Sequence, residues 1–269
     1  MRRILLATAS TIAISSSAAM AADLAPMPTK APAPITAPLS WTGGYVGLNA
    51  GYAWGNSDPT LFGDVTPFPL GLVSTTQGPP GLRPKGFIGG GQAGYNWQIG
   101  QFVVGGEVDF SGLASKADAS VSPFFSGKGG TNTVSWSSRY DWLFTARLRG
   151  GFTIAPNWLL YATGGLAVTQ ARDSVSCTAR TTFGCGDFSG GLLWAHSETL
   201  VGGTVGGGIE TLFAPNWTAR VEYLYAKFAD TTAEPVNPPV TGGAPVPALF
   251  SFRHDLNLVR VGINYKFTP

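Results

Sequence analysis

The segment Arg260–Phe267 alternates strictly. Val261, Ile263, Tyr265 and Phe267 fall on one face of an extended chain, and Arg260, Gly262, Asn264 and Lys266 on the other. Successive side chains of a strand point to opposite faces, so this segment reads as a strand with one apolar and one polar side. The same period recurs upstream. Over 138–153, Tyr140, Trp142, Phe144, Ala146, Leu148 and Phe152 share one face, and Arg139, Asp141, Thr145, Arg147 and Arg149 share the other. Over 216–229, Trp217, Ala219, Val221, Tyr223 and Tyr225 oppose Thr218, Arg220 and Glu222; over 102–113, Phe102, Val104, Val108 and Phe110 oppose Glu107 and Asp109. The pattern predicts strands at 44–55, 86–98, 102–113, 138–153, 157–170, 198–213, 216–229 and 252–267. Each is close to the roughly 9–11 residues that a tilted membrane-crossing strand needs. The alternation weakens in the glycine-rich 86–98. It breaks at the start of 252–267, where Asp255 and Asn257 fall on the otherwise apolar face, as at a bulge or at an end beyond a membrane.

Proline and turn residues agree with a closed sheet. None of the 20 prolines lies inside the eight segments, as a sheet without edge strands requires. Two near-identical tight turns, Ala155-Pro156-Asn157-Trp158 and Ala214-Pro215-Asn216-Trp217, join consecutive strands. Long connections (56–85, 114–137, 171–197, 230–251) interleave with short ones (99–101, 154–156, 214–215). Trp97, Phe102, Phe152, Trp158, Phe213, Trp217, Tyr265 and Phe267 gather beside the short turns and the C-terminus, as in the interfacial girdle of a membrane barrel. The fold expected is all-β: an eight-stranded antiparallel up-and-down transmembrane β-barrel with four long external loops and both termini periplasmic. A soluble barrel explains the alternation but not the aromatic cluster at one end.

Composition strengthens the membrane reading. Charged residues make up 12% of the chain, against about 25% in ordinary globular domains. Yet outside the N-terminus no apolar run approaches the ~20 residues of a spanning helix. An apolar exterior without long apolar runs is the signature of lipid-facing residues alternating with lumen-facing ones. Residues 1–21 read as a signal peptide, with Arg2-Arg3, an apolar core over 4–14 and an Ala19-Met20-Ala21 cleavage site. Its removal takes Arg2 and Arg3 from the 17 basic residues, leaving 15 against 15 acidic ones. A near-neutral mature chain gives no reason to expect nucleic acid. Residues 22–40, rich in proline and alanine, read as an extended periplasmic arm and a candidate contact with peptidoglycan. The barrel is expected over 41–267.

Arg260, Gly262, Tyr265 and Phe267 resemble the C-terminal signal of bacterial outer-membrane barrels that the barrel-assembly machinery reads, followed here by Thr268-Pro269. The stretch Trp41-Thr42-Gly43-Gly44-Tyr45-Val46-Gly47-Leu48-Asn49-Ala50-Gly51-Tyr52 resembles the opening of the alphaproteobacterial outer-membrane β-barrel family of porin-like surface antigens, distantly similar to the OmpA transmembrane domain. Val221–Tyr225 and Val259–Phe267 are similar to the family's last two strands. The resemblance covers roughly 41–267. It implies residence in the outer membrane of a Gram-negative bacterium, among lipid and lipopolysaccharide, in a structural or surface role. Some relatives are described as porins or hemin binders.

Candidate chemistry lies first in the lumen. Glu107, Asp109, Arg147, Arg149, Glu210, Arg220, Glu222 and Arg260 fall on the polar faces, four acids against four bases. Glu210 and Arg220 stand at similar distances from the Ala214–Trp217 turn and should lie close together. Charges removed from water need partners, so the eight read as a salt-bridged plug or as a gate for small ions. A barrel of eight strands is only wide enough for its own side chains, which argues against a wide pore. Cys177 and Cys185 are nearby cysteines in an exported chain and a candidate loop disulfide. No metal-ligand spacing and no cofactor motif is present. His196, His254, Ser197, Glu198 and Asp255 sit at the outer ends of strands and could be arranged as in a rim-site hydrolase, but any external loop would offer as much, so no enzyme is expected. The favoured function is a non-enzymatic outer-membrane surface protein contributing to envelope structure, its lumen closed by paired charges. The alternatives are a small-solute porin and a surface protein binding a ligand such as hemin, for which His196 and His254 are the available histidines.

Overall fold

A computed structural model describes residues 40–62, 81–126, 130–179, 191–233 and 249–267. The chain divides into two units, Met1–Pro38 and Leu39–Pro269, and the described residues lie in the second. The proposed signal peptide, almost all of the 22–40 arm, and Cys185 fall outside them, so the cysteine pairing does too.

Among the described residues all regular structure is strand: β1 (Gly43–Phe62), β2 (Lys85–Ile99), β3 (Phe102–Ser126), β4 (Gly130–Ala155), β5 (Trp158–Ala179), β6 (Gly191–Ala214), β7 (Trp217–Phe228), the three-residue β8 (Thr231–Ala233) and β9 (Leu249–Lys266). Neighbours in sequence pair antiparallel from β1 to β7, β7 pairs β9, and β9 returns to β1. That last ladder closes the ring of eight strands; β8 only adds a short pairing to the far end of β9. Closure satisfies every strand edge within the ring, the condition for crossing a bilayer with strands.

Three short turns lie at one end. Gly100 adopts φ +63° in the β2–β3 turn, a left-handed conformation that favours glycine. The two Ala-Pro-Asn-Trp turns occupy the β4–β5 and β6–β7 corners as expected. In the second, the Asn216 side-chain amide donates to the Lys266 carbonyl at 2.8 Å, tying the corner to the last strand. All eight aromatics expected in the girdle at this end are 39% exposed or more, facing outward. Trp217 and Tyr265 stand edge to face at 5.2 Å, and Tyr265 and Phe267 at 5.4 Å.

At the other end the strands run further than the alternation indicated. β3 continues from 113 to Ser126, β4 begins at Gly130 rather than 138, and β5 runs to Ala179. Most of the connections read as loops at 114–137 and 171–197 are therefore paired strand. The reason is physical: ladder hydrogen bonds are made by backbone, and a sheet emerging from lipid into water keeps them while losing its apolar face. The longer strands also take in two prolines, Pro59 in β1 and Pro123 in β3, against the expected exclusion. Pro59 pairs with Phe252 of β9, while the β1–β2 ladder has already ended at Trp54. Pro123 falls within the register shift between Val121 and Phe124. Both sit where no ladder donor is needed.

The break at Asp255 and Asn257 is not a bulge. β9 pairs with β1 and with β7 in unbroken register. Asp255 faces Lys227 across the β7 ladder and accepts from the Asn56 side chain at 3.4 Å. Asn257 accepts from the Tyr223 hydroxyl at 2.6 Å. These are the first polar rows past the apolar band.

Candidate functional site: the charged lumen

Alternation puts one residue of every pair inside. The outward set is Leu48, Phe87, Ile99, Phe102, Leu148 and their like, the inward set small or polar. Inward glycines make room for the few large side chains. Gly94 lies opposite Tyr45 in the β1–β2 ladder, and a Cβ there would strike the Tyr45 hydroxyl and the backbone oxygen of Gly106. Gly208 plays the same part beneath Tyr161, whose hydroxyl lies 2.8 Å from where its Cβ would be.

All eight lumen charges are inward, none more than 5% exposed. β3 supplies Glu107 and Asp109, β4 Arg147 and Arg149, β6 Glu210, β7 Arg220 and Glu222, and β9 Arg260. Arg147 is the hub. Its Nη2 reaches Glu107 at 2.6 Å and Asp109 at 2.9 Å, and its Nη1 reaches Glu222 at 3.0 Å on the opposite wall. Arg260 clamps Asp109 with two bonds, at 2.9 and 3.1 Å, and gives its Nε to Glu222 at 2.8 Å. Such two-point guanidinium–carboxylate contacts are among the stronger charged hydrogen bonds. Arg220 holds Glu107 through both Nη groups and gives Gln92 a bond of 2.8 Å. Arg149 pairs with Glu210 at 2.6 Å and lies over the Tyr161 ring, 4.0 Å from its centroid.

Glu210 and Arg220 are direct partners in the β6–β7 ladder, yet no ion pair joins them. Each instead reaches across the lumen, Glu210 to β4 and Arg220 to β3. An arginine is long enough to span a small barrel, and the carboxylates opposite offer better geometry than a laterally adjacent one. The expected pair is thus corrected to Glu210–Arg149 and Glu107–Arg220.

Neutral groups complete the network. Tyr45 donates to Glu107 at 2.6 Å and Tyr161 to Glu222 at 3.0 Å. Thr145 donates to Asp109, and Thr218 and Asn264 to Glu210 at 2.6 and 3.0 Å. Asn49, Gln92 and Asn264 form a relay with bonds of 2.8 and 2.5 Å. Sequence reasoning missed Tyr45 and Tyr161. The available signal was that each falls on the glycine-paired, polar side of its strand.

Apolar layers flank the charges. At the short-turn end Trp41, Val103, Leu159, Tyr161 and Leu212 pack together, with the Trp41 amide donating to Gln98 at 2.7 Å. Towards the long-hairpin end a second layer includes Leu113, Tyr140, Leu143, Leu200, Leu224, Phe228, Leu256 and Leu258.

Beyond that layer, and past the outward apolar band that ends at Trp54 and Val168, Asp173 and His254 are buried. His254 is fully covered, its Nδ1 2.8 Å from the Tyr140 hydroxyl and its Nε2 3.9 Å from Asp173. An axial ligand for a surface-bound hemin has to be reachable, and His254 is not. Burial pushes the Asp173 carboxyl up to about 6 and the His254 imidazole down to about 4. For Asp173 the folded value lies above the unfolded one. Stability from its protonated form is therefore complete below the ordinary value of 3.8 and lost as pH rises through about 6. Asp173→Asn is expected to stabilise the barrel at pH 8 by about 2–3 kcal/mol and to leave it unchanged at pH 4. Urea unfolding in lipid vesicles at the two pH values measures this, and an equal effect at both would refute it.

His196 meets Glu198 at 3.4 Å on one face, while Ser197, between them, points to the other and accepts from Gln170 at 3.2 Å. Among the described residues no group of three or more His, Cys, Asp or Glu could hold a metal ion. Of the four residues of the C-terminal pattern, Arg260 and Gly262 face inward and Tyr265 and Phe267 outward.

A closed ring of eight strands, apolar outside and charged within, defines an outer-membrane β-barrel. The model of the outer membrane protein beta-barrel domain family matches residues 9–267, and the chain belongs to that family. A 31 kDa outer-membrane immunogenic protein of Brucella melitensis is 34% identical over 230 residues, 85% of each chain. A 22 kDa outer membrane protein of Rhizobium leguminosarum is 32% identical over 184 residues, covering 68% of this chain and 67% of its own. Among solved structures, the outer membrane protein OprG of Pseudomonas aeruginosa aligns over 85% of this chain and 97% of its own, with 13% identity and a TM-score of 0.48. The protein is thus an outer-membrane protein of a Gram-negative bacterium, with relatives named as outer-membrane immunogenic proteins.

Proposed function

We propose that this barrel is a non-enzymatic surface and envelope protein whose lumen is closed by its own charges. The observation that carries the reading is Arg147, which joins carboxylates of β3 to a carboxylate of β7 across the lumen. An ion crossing the barrel must displace a buried salt bridge, which costs several kcal/mol, and must also pass the apolar layer at either end. In the membrane the long hairpins face outward and the short turns and both termini face the periplasm, as in bacterial barrels generally. Tyr265 and Phe267, exposed at the short-turn end, are then presented to the assembly machinery. Its proline- and alanine-rich composition makes the 22–40 segment a candidate contact with peptidoglycan.

Planar-bilayer recording of refolded protein is expected to show no unitary openings; steady conductance steps would make it a small-solute porin instead. Orientation is tested in a background lacking Cys177 and Cys185. A membrane-impermeant maleimide on intact cells should label Phe125→Cys and not Pro156→Cys. The reverse pattern would invert the topology.

A further inference from the structure

The outward face carries a feature that a closed lumen does not use. Lys85 of β2 is the cross-strand partner of Lys116 of β3, Lys116 of Arg139 of β4, and Arg139 of Arg172 of β5. Four neighbouring strands place a cation on one row, with opposed residues only about 5 Å apart at Cα. Like charges directly opposite destabilise a sheet, so the row calls for anions. The chain supplies two. Asp141 takes the Nε of Arg139 at 3.0 Å and the Nε of Arg172 at 2.7 Å, and Asp118 meets Lys116 at 2.9 Å. These bridges engage each guanidinium by its Nε edge and leave the terminal nitrogens as donors for a further anion. The arginine side chains are about half exposed, at 47% and 50%.

The row sits at a defined depth. Lys85 is opposite Trp54, an outward aromatic of β1. On β3 and β4 the apolar band ends at the stacked Phe110 and Trp142 rings, 5.8 Å apart. Arg172 stands four residues past Val168, roughly 10 Å higher for a strand tilted about 40°. That is the level of lipid headgroups, within reach of side chains that bend back to the interface. Immediately beyond the cations the outward residues turn to hydroxyls, in two ladder rows: Asp118–Ser137–Ser174 and Ser120–Ser135–Ser176. With Lys116 they line a cavity of about 330 Å³.

We infer that this face binds a phosphorylated glycolipid of the outer leaflet, lipopolysaccharide, with its phosphates on Lys85, Lys116, Arg139 and Arg172 and its sugars in the serine-lined cavity. Arginine forks match phosphate oxygens, and serine hydroxyls and Asp118 can exchange hydrogen bonds with sugar hydroxyls. A phospholipid headgroup would use the cations and leave the cavity empty. The inference rests on the orientation proposed above, with the long hairpins outside.

The test uses the full chain refolded in detergent micelles, with native mass spectrometry counting retained lipid. The probes are purified lipopolysaccharide, the same material dephosphorylated, and phosphatidylglycerol. Lipopolysaccharide should be held about tenfold more tightly than either of the others, and Arg139→Gln with Arg172→Gln should remove that advantage. Ser137→Ala with Ser174→Ala should weaken lipopolysaccharide alone. Asp141→Asn separates a built site from plain attraction: it makes the face more positive, yet loss of the buttress should lower affinity. Equal binding of all three lipids, or tighter binding by Asp141→Asn, would overturn the site. Heat-modifiable migration confirms that each variant is folded, and Lys85→Gln replaces the double arginine variant if that one is not. Labelling of Phe125→Cys on intact cells, in the background lacking Cys177 and Cys185, checks the orientation separately. Absence of label with phosphate-dependent binding retained would sink the orientation and, with it, the outer-leaflet assignment, but not the phosphate site.

Discussion

Arg220→Ala is expected to cost the barrel about 3–5 kcal/mol, the usual consequence of stranding buried charge. Its guanidinium is the group that holds Glu107 from the β7 side, and nothing nearby on β7 can replace it. The double change Glu107→Ala with Arg220→Ala should cost clearly less than the two single changes added together, with a coupling above about 1 kcal/mol. The same cycle on Glu210 and Arg220, ladder neighbours in the same network that form their ion pairs elsewhere, should show a smaller coupling than the first. Urea unfolding of the protein in vesicles gives both cycles. The reverse ranking would mean that the arginine folds sideways along its own hairpin and that the trans-lumen geometry is wrong.

Gly94→Val should be at least as damaging as an ordinary overpacking change, about 3 kcal/mol. The new side chain would occupy the place of the Tyr45 hydroxyl, and Tyr45 donates to Glu107 and accepts from Arg149 at 3.1 Å. Steric and electrostatic losses therefore coincide. Tyr45→Ala in the same chain should recover part of the loss by opening space, although the Gly106 carbonyl still crowds the site. The readout is the folded fraction by heat-modifiable migration, followed by urea unfolding. No recovery in the double variant would show that the backbone contact alone is responsible.

These residues also mark what the sequence could and could not disclose. Alternation identified the strands wherever one side faced lipid, because there the contrast between faces is greatest. It ended early in β3, β4 and β5 because outward residues beyond the bilayer become Lys116, Asp118, Ser135 and Ser174, and both faces turn polar while the ladder continues. The eight inward charges were legible by parity, but parity also put Arg139 on their face and Tyr140 on the apolar one, and the register shift between Tyr140 and Leu143 reverses both. The partners of the eight were not legible: which arginine meets which carboxylate depends on the stagger and curvature of the closed ring, and no single hairpin encodes either. Tyr45 and Tyr161 passed unnoticed because aromatics in such a chain suggest a membrane girdle. Their glycine partners, Gly94 and Gly208, were the clue that they point inward.

The distribution of the network over the strands has a consequence for assembly. Asp109 and Glu222 arrive with β3 and β7, but Arg260 comes only with β9, the strand that completes the ring. Until it docks, those carboxylates have Arg147 but lack their second cation, and the sheet must stay open. The last strand therefore acts as a latch. Its arrival supplies the missing cation, seals the β1 edge and expels water in one event, so a barrel lacking only that strand is an open, wet intermediate and not a slightly weakened version of the finished protein.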